Sequence, residues 1–281
     1  MRVALNLAGR ICSAGEIIIK SKLIGCEGLI KSIRNTGPCP DPILAGYVST
    51  YKGPRENNED SAAVAAKRIG NEIYAMVVVA DGVGGLKKGE VASESAVCQA
   101  LIDFYYGHQL NEDWVRNLFD RANDYVKQKA SGGATTMTVA LLRLSHGEVI
   151  VGNVGDSPMY AVSADGELYD LTPDKDEHGE YILQAVGHPS YRAPHINRYR
   201  FPVAALVGVT DGVSDYLPSH DILKNVLFTD VQQATKMLLF SVRNITRDNA
   251  TAAILRIYQS MPAYAGGEID TNTRRLTIRR T

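Results

Sequence analysis

The chain has 281 residues, 45% of them hydrophobic, with 30 Lys and Arg against 31 Asp and Glu. No apolar run approaches the ~18 residues of a membrane-spanning helix, and a formal net charge of −1 does not suit a protein built to neutralise nucleic-acid phosphates. The apolar fraction suffices for a buried core in one large or two small domains and excludes a largely disordered chain, so neither membrane nor nucleic acid is an expected partner.

Residues 1–42 carry an excess of Lys and Arg, hold one strand-like run over residues 16–24, and close in Gly37-Pro38-Cys39-Pro40-Asp41-Pro42, which cannot continue a helix. They are read as an N-terminal extension of unassigned role. Arg10 and Glu16 interrupt the first apolar stretch and no small-residue cleavage site follows, so the expectation is a cytoplasmic chain without a secretory signal. Cys12, Cys26, Cys39 and Cys98 form neither a disulfide scaffold nor a C-x-x-C zinc pair. They are expected as buried free thiols, with a local bridge among the first three left open.

From residue 43 short apolar or β-branched runs follow one another: 43–51, 60–68, 72–80, 134–144, 148–153, 159–163 and 167–171, the last two joined by the turn dipeptide Asp165-Gly166. Helical periodicity falls at 88–106, 111–129 and 230–243, and two further strands at 204–210 and 250–257 end the domain. Strands grouped apart from helices predict an α+β fold, with antiparallel sheets covered by helices. The division is then an extension at 1–42, a main domain at 43–258 and a basic tail at 259–281, in which Leu276 and Ile278 either form a short strand or fray.

Four aspartates share one context. Asp60 opens a strand, Asp81 and Asp211 close long apolar strands, and Asp248 precedes the final strand. Carboxylates at the lips of apolar strands are partly desolvated and repel one another unless a cation joins them. Hard oxygen donors without neighbouring His or Cys favour Mg²⁺ or Mn²⁺ over zinc, and four carboxylates balance two divalent ions. Asp-Gly is also a plain turn dipeptide, as at Asp165-Gly166, but Asp81 and Asp211 continue into glycine or small residues instead of a return strand. Gly84, Gly85 and Gly89 leave the backbone after Asp81 bare. Lys87 stands where a dinucleotide fingerprint needs its third glycine, and Glu90 follows Gly89 where a Walker loop needs lysine. The six histidines are scattered, and Cys98 lies in a helical stretch with no phosphate loop around it.

Arg55-Glu56-Asn57-Asn58-Glu59-Asp60-Ser61, Val79-Ala80-Asp81-Gly82-Val83-Gly84-Gly85, Gly133-Ala134-Thr135-Thr136, Val154-Gly155-Asp156-Ser157, Leu171-Thr172-Pro173-Asp174, Thr210-Asp211-Gly212-Val213-Ser214-Asp215 and Asp248-Asn249-Ala250-Thr251 resemble, in order, the motif set of the metal-dependent protein phosphatases, the protein phosphatase 2C family, in its bacterial and archaeal form. The resemblance spans about residues 43–258. It implies a layered α-β-β-α sandwich and hydrolysis of phosphoserine and phosphothreonine in proteins by a water shared between two Mn²⁺ or Mg²⁺ ions. It further implies that Asp81 bridges the ions, with the Gly82 carbonyl on one and Asp211 and Asp248 on the other. Asp60 orients the water, helped by Glu59, Arg55 grips the substrate phosphate, and Asp156 with Asp215 holds a weaker third ion. The expected partners are phosphorylated proteins and the expected state a monomer.

Three positions depart from the family pattern. Val83 replaces a histidine proposed elsewhere as general acid, so leaving-group protonation would fall to metal-bound water. Pro158 and Lys175 replace a frequent Arg and His. The polar stretch between Asp174 and Ala204 precedes Asp211, where the fold can carry a flap, so Tyr191, Arg192, Arg198 and Arg200 are candidate phosphopeptide contacts, with an ordinary surface connection as the alternative. Two other functions fit the same residues: a catalytically silent regulatory module, and a phosphatase of a small phosphorylated metabolite.

Overall fold

In the computed structural model, residues 7–11, 17–20, 44–172, 177–178, 181–258 and 274–276 are described. Along the chain these form β1 (Leu7–Ile11), β2 (Ile17–Lys20), β3 (Leu44–Tyr51), β4 (Asp60–Ile69), β5 (Glu72–Asp81), α1 (Gly89–Tyr106), α2 (Glu112–Lys129), β6 (Met137–Arg143), β7 (Glu148–Val154), β8 (Met159–Ser163) and β9 (Leu168–Asp170). Then come β10 (Glu177–His178), β11 (Tyr181–Ile182), β12 (His195–Arg200), β13 (Val203–Val209), α3 (Asp211–Ser214), α4 (Ser219–Phe228), α5 (Val231–Val242), β14 (Ala250–Ile257) and β15 (Arg274–Leu276).

Among the described residues one sheet runs β1-β3-β14-β13-β8-β9-β15 and the other β12-β7-β6-β5-β4-β2, with β10 and β11 as a separate pair. Every pairing is antiparallel, as the grouping of strands predicts. β5 shows why the sequence reads as a continuous apolar run. Its Ala75, Val77 and Val79 fill the space between the sheets, while Met76, Val78 and Ala80 pack toward α1 and α2. Burial on both faces leaves no position for a polar residue, and each Val so buried contributes about 1.5–3 kcal/mol. The other sheet is covered by α3, α4 and α5 through Val213, Ile222, Val226, Ala234 and Leu238. The result is the α-β-β-α order of layers.

The helices that cover the sheets carry their own start signals. The Asn111 side chain accepts a hydrogen bond from Trp114 N at 2.9 Å, with Glu112 and Asp113 in the first turn of α2 and Lys127 and Lys129 in its last. Asp230 caps α5 through Gln232 N and Gln233 N at 2.9 and 3.0 Å.

Four features differ from the sequence reading. α4 was not expected, because it is short and its Ile222 and Val226 are β-branched. β12 reads as polar because it is the edge of its sheet, with His195, Arg198 and Arg200 exposed and Tyr199 buried. In the N-terminal stretch, β1 pairs with β3 and β2 with β4, and in the tail Arg274–Leu276 pairs with β9; the rest of the expected run at 16–24, and Ile278, lie outside the described residues. Cys98, expected as a free thiol, is buried in α1 and disulfide-bonded.

The two sheets approach closely at Gly208 of β13. A Cβ there would stand 2.8 Å from Val79 Cγ1 and 3.0 Å from Met159 Cε, so the position holds glycine for want of space. Gly208→Val is expected to destabilise the fold by about 1–3 kcal/mol through overpacking, read as a lowered midpoint in thermal denaturation; an unchanged midpoint would refute the close approach.

Candidate metal centre

The central hairpin decides where the first two carboxylates stand. β4 and β5 are joined through Gly70 and Asn71, with Ile69 opposite Glu72 and Gly70 at φ +60°, as a tight hairpin turn requires. That turn fixes the register along the whole ladder, so at its far end Asp60 falls directly opposite Asp81. Like charges facing each other across a ladder are destabilising, and a one-residue slip would separate them while turning the apolar positions out of the core. The second sheet supplies the other two carboxylates at the same end. Asp211 follows β13, and Asp248 precedes β14, whose pairing with β13 runs from Ala205–Arg256 to Val209–Ala252.

Asp81, Asp211 and Asp248 border one cleft of about 330 Å³, together with Arg55, Glu59, Val83, Asp156 and Ile182, and Asp60 is buried opposite Asp81. Asp60 is 1% exposed. Burial, reinforced by the charges of Asp211 and Asp248 and opposed by hydrogen bonds from Thr210 and Thr251, pushes its carboxyl up to about 7. Burial also drives Asp81 well above the usual carboxylate range, with Asp60, Asp211 and Asp156 adding repulsion. Asp211 is raised by burial and by the charges of Asp248 and Asp215. Glu59 is raised by burial and by Glu90, against the pull of Arg55. Asp81 and Asp211 lie close enough for each to shift the other, a contact that favours a proton, or a cation in its place.

Hydroxyl and amide side chains hold this cluster. Thr210 Oγ1 donates to Asp60 Oδ2 at 2.8 Å and accepts from Thr251 N at 3.0 Å. Thr136 Oγ1 accepts from Asp81 N at 2.9 Å, and the Thr135 hydroxyl and the Thr136 N–H both donate to Asp81 O at 2.8 Å. Gly82 sits against Gly89, where a Cβ would lie 2.6 Å from the Gly89 carbonyl oxygen. Sequence reasoning quoted Thr210, Thr136 and Asn249 inside motifs without assigning them roles. Arg55 is half exposed and pairs with Asp248 at 2.5 Å.

The structure brings Arg55, Asp81, Gly82, Asp156, Asp211 and Asp248 to the cleft and buries Asp60 opposite Asp81. Asp215 is exposed at the end of α3, outside the cleft lining but close enough to act on Asp211. The candidate phosphopeptide contacts find partners within the chain. Tyr191 donates to Asp120 at 2.8 Å, and Arg192 to the carbonyls of Pro189 and Tyr191. Arg198 pairs with Glu148, and Arg200 reaches His146 O at 3.3 Å, at the end of β7 away from Asp156. Among the described residues between Asp174 and Ala204, Ile182 lines the cleft.

Among the described residues no three His, Cys, Asp or Glu side chains already stand in the geometry of a finished metal cage. Their chemistry nevertheless fits hard divalent cations. All the donors are oxygens, and Asp60 Oδ1 and Asp211 Oδ1 are buried without a hydrogen-bond partner, which is costly unless a cation or water completes them.

The model of the family described as protein phosphatase 2C matches residues 54–243. Among curated proteins, the serine/threonine phosphatase stp of Listeria welshimeri is 32% identical over 132 residues, 43% of this chain and 50% of that protein. Its counterpart in Listeria monocytogenes is 32% identical over 118 residues, 38% of this chain and 44% of that protein. The chain thus spans about half the length of the curated relatives it matches. Among solved structures, a bacterial serine phosphatase superposes with a TM-score of 0.67 at 22% identity, covering 78% of this chain and 99% of that one. The catalytic domain of the serine/threonine protein phosphatase PstP, in complex with two manganese ions, superposes with a TM-score of 0.60 at 21% identity, covering 77% and 99%. These two likenesses speak to the fold.

Carboxylates raised in the folded state bind protons there that the unfolded chain releases, so their contribution to stability is present below about pH 4 and lost as pH rises through about 7. With EDTA present, thermal stability is therefore expected to fall across this range, and Mn²⁺ to raise the midpoint more at pH 8 than at pH 5. Asp81→Asn removes one of the crowded charges. It should raise the midpoint in EDTA and abolish the Mn²⁺ shift; a variant that keeps the full shift would contradict the assignment of Asp81.

Proposed function

The chain belongs to the protein phosphatase 2C family, and on that premise we propose that it is a metal-dependent phosphatase of phosphoserine and phosphothreonine in proteins. The observation that carries this reading is the convergence of carboxylates from both sheets beside Arg55 in one open cleft. Asp60, Asp81, the Gly82 carbonyl, Asp211 and Asp248 would hold two Mn²⁺ or Mg²⁺ ions, with Asp156 and Asp215 at a weaker third site. When bound, the ions supply a nucleophile at neutral pH and offset charge on the phosphoryl oxygens.

The chain's own residues do the rest. Arg55 binds the substrate phosphate with a planar, two-pronged guanidinium. Asp60 orients the attacking water, its carboxylate held in place by the Thr210 hydroxyl. Val83, which lines the cleft, offers no proton, so the leaving alkoxide takes its proton from water. The silent-module reading is not favoured, since aspartates stand at all the ligand positions. The substrate is a phosphorylated protein met by a cytoplasmic monomer.

Purified protein with Mn²⁺ is expected to release phosphate from p-nitrophenyl phosphate and from a phosphothreonine peptide. Asp81→Asn should reduce kcat to background. Arg55→Ala should raise KM about ten- to a hundredfold, the loss expected for a hydrogen bond to a charged group. Inactivity with Mn²⁺ would defeat the proposal, and a phosphorylated metabolite turned over faster than the peptide would move it to the small-molecule reading.

A further inference from the structure

β3 and β4 belong to different sheets, and residues 52–59 cross between them carrying Arg55 and Glu59. Pro54, Arg55, Glu56 and Asn57 are all exposed, so the crossing has no apolar anchor of its own at its tip. Polar contacts hold it instead. The Asn249 side chain, 4% exposed, donates from Nδ2 to Lys52 O at 2.6 Å and to Asn57 O at 2.9 Å, and accepts from Glu59 N at 2.8 Å through Oδ1. These three backbone groups lie on both sides of Arg55.

Only a carboxamide supplies two donors and one acceptor from one short side chain. Aspartate would set an anion against two carbonyl oxygens, and alanine would leave three backbone groups unpaired. The backbone of the same residue fixes the neighbouring carboxylates. Asn249 N donates to Asp248 Oδ1 at 2.7 Å, and its carbonyl oxygen lies 1.8 Å from where a Cβ on Gly212 would stand, so the turn that bears Asp211 packs directly on it.

We propose that Asn249 is a positioning residue, whose carboxamide holds the 52–59 crossing in the shape that presents Arg55 to the substrate phosphate. This rests on the phosphatase reading above and adds to it the residue that acts through Arg55 on substrate binding. Loss of the amide should act on KM more than on kcat, because an interaction made equally with substrate and transition state is being weakened.

The test has three parts. Asn249→Ala is expected to raise KM for a phosphothreonine peptide about tenfold, the scale of lost support for a binding group, with kcat changed much less. In a cycle with Arg55→Ala, the double variant should have the KM of Arg55→Ala alone, whereas a merely structural role would multiply the two losses. Hydrogen exchange reads the anchor without any variant: the Glu59 amide of the wild-type protein should be protected, and in Asn249→Ala it should exchange at least tenfold faster. Should the alanine variant fail to fold, Asn249→Asp, which retains the acceptor for Glu59 N, is expected to give the same rise in KM. Multiplied losses, an unchanged KM or a freely exchanging Glu59 amide in active wild-type protein would overturn the role of Asn249 alone. Wild-type protein inactive with Mn²⁺ would overturn the phosphatase reading and this proposal with it.

Discussion

Electrostatic crowding of aspartates at one end of the sandwich is the constraint around which the structure is organised. Asp60 and Asp81 face each other across a ladder, Asp211 lies close enough to Asp81 for each to shift the other, and burial removes the water that would screen them. A fold under no chemical demand would not retain such an arrangement, since one carboxamide in place of a carboxylate would relieve it. The surrounding groups respond to that crowding. Thr210 turns its hydroxyl to Asp60, Arg55 turns its guanidinium to Asp248, and the glycines at 82 and 212 allow backbone to close around the carboxylates with no side chain between.

The two halves of the cluster are supported differently. On the β4–β5 side, rigidity comes from a long ladder buried on both faces, so register alone places the carboxylates. On the Asp211 and Asp248 side, the aspartates lie just beyond the strand ends, and side-chain hydrogen bonds complete the work of the ladder. Asn249 and Thr210 therefore matter most where regular structure runs out, while Thr135 and Thr136 satisfy the Asp81 backbone and Thr210 reaches Asp60 Oδ2.

Much of this was legible in the residue order. Asp60, Asp81, Asp211 and Asp248 stand at strand boundaries that apolar runs announce, and grouped strands and helices predict the layers. What could not be read were contacts made at long range by residues of ordinary local character. Asn249 meets Glu59 across 190 positions and Thr210 meets Asp60 across 150; a threonine in a strand and an asparagine in a turn signal only local preference. α4 and β12 escaped for a related reason. The edge strand is polar because one side of it faces solvent, and the short helix shows too few turns for a period to emerge. Tyr191, Arg198 and Arg200 read as ligands for phosphate because their partners come from α2, β7 and the turn before it.

Gly208 gives the site a dimension that its ligating residues do not set. The carboxylates come in two pairs, one riding on each sheet, so the distance between the pairs follows from how closely the sheets approach. Gly208 lies in the strand that leads to Asp211 and meets Val79 of the strand that leads to Asp81. The absence of a side chain at that contact acts as a gauge, holding the two halves of the cluster at a separation that apolar packing has measured out beforehand.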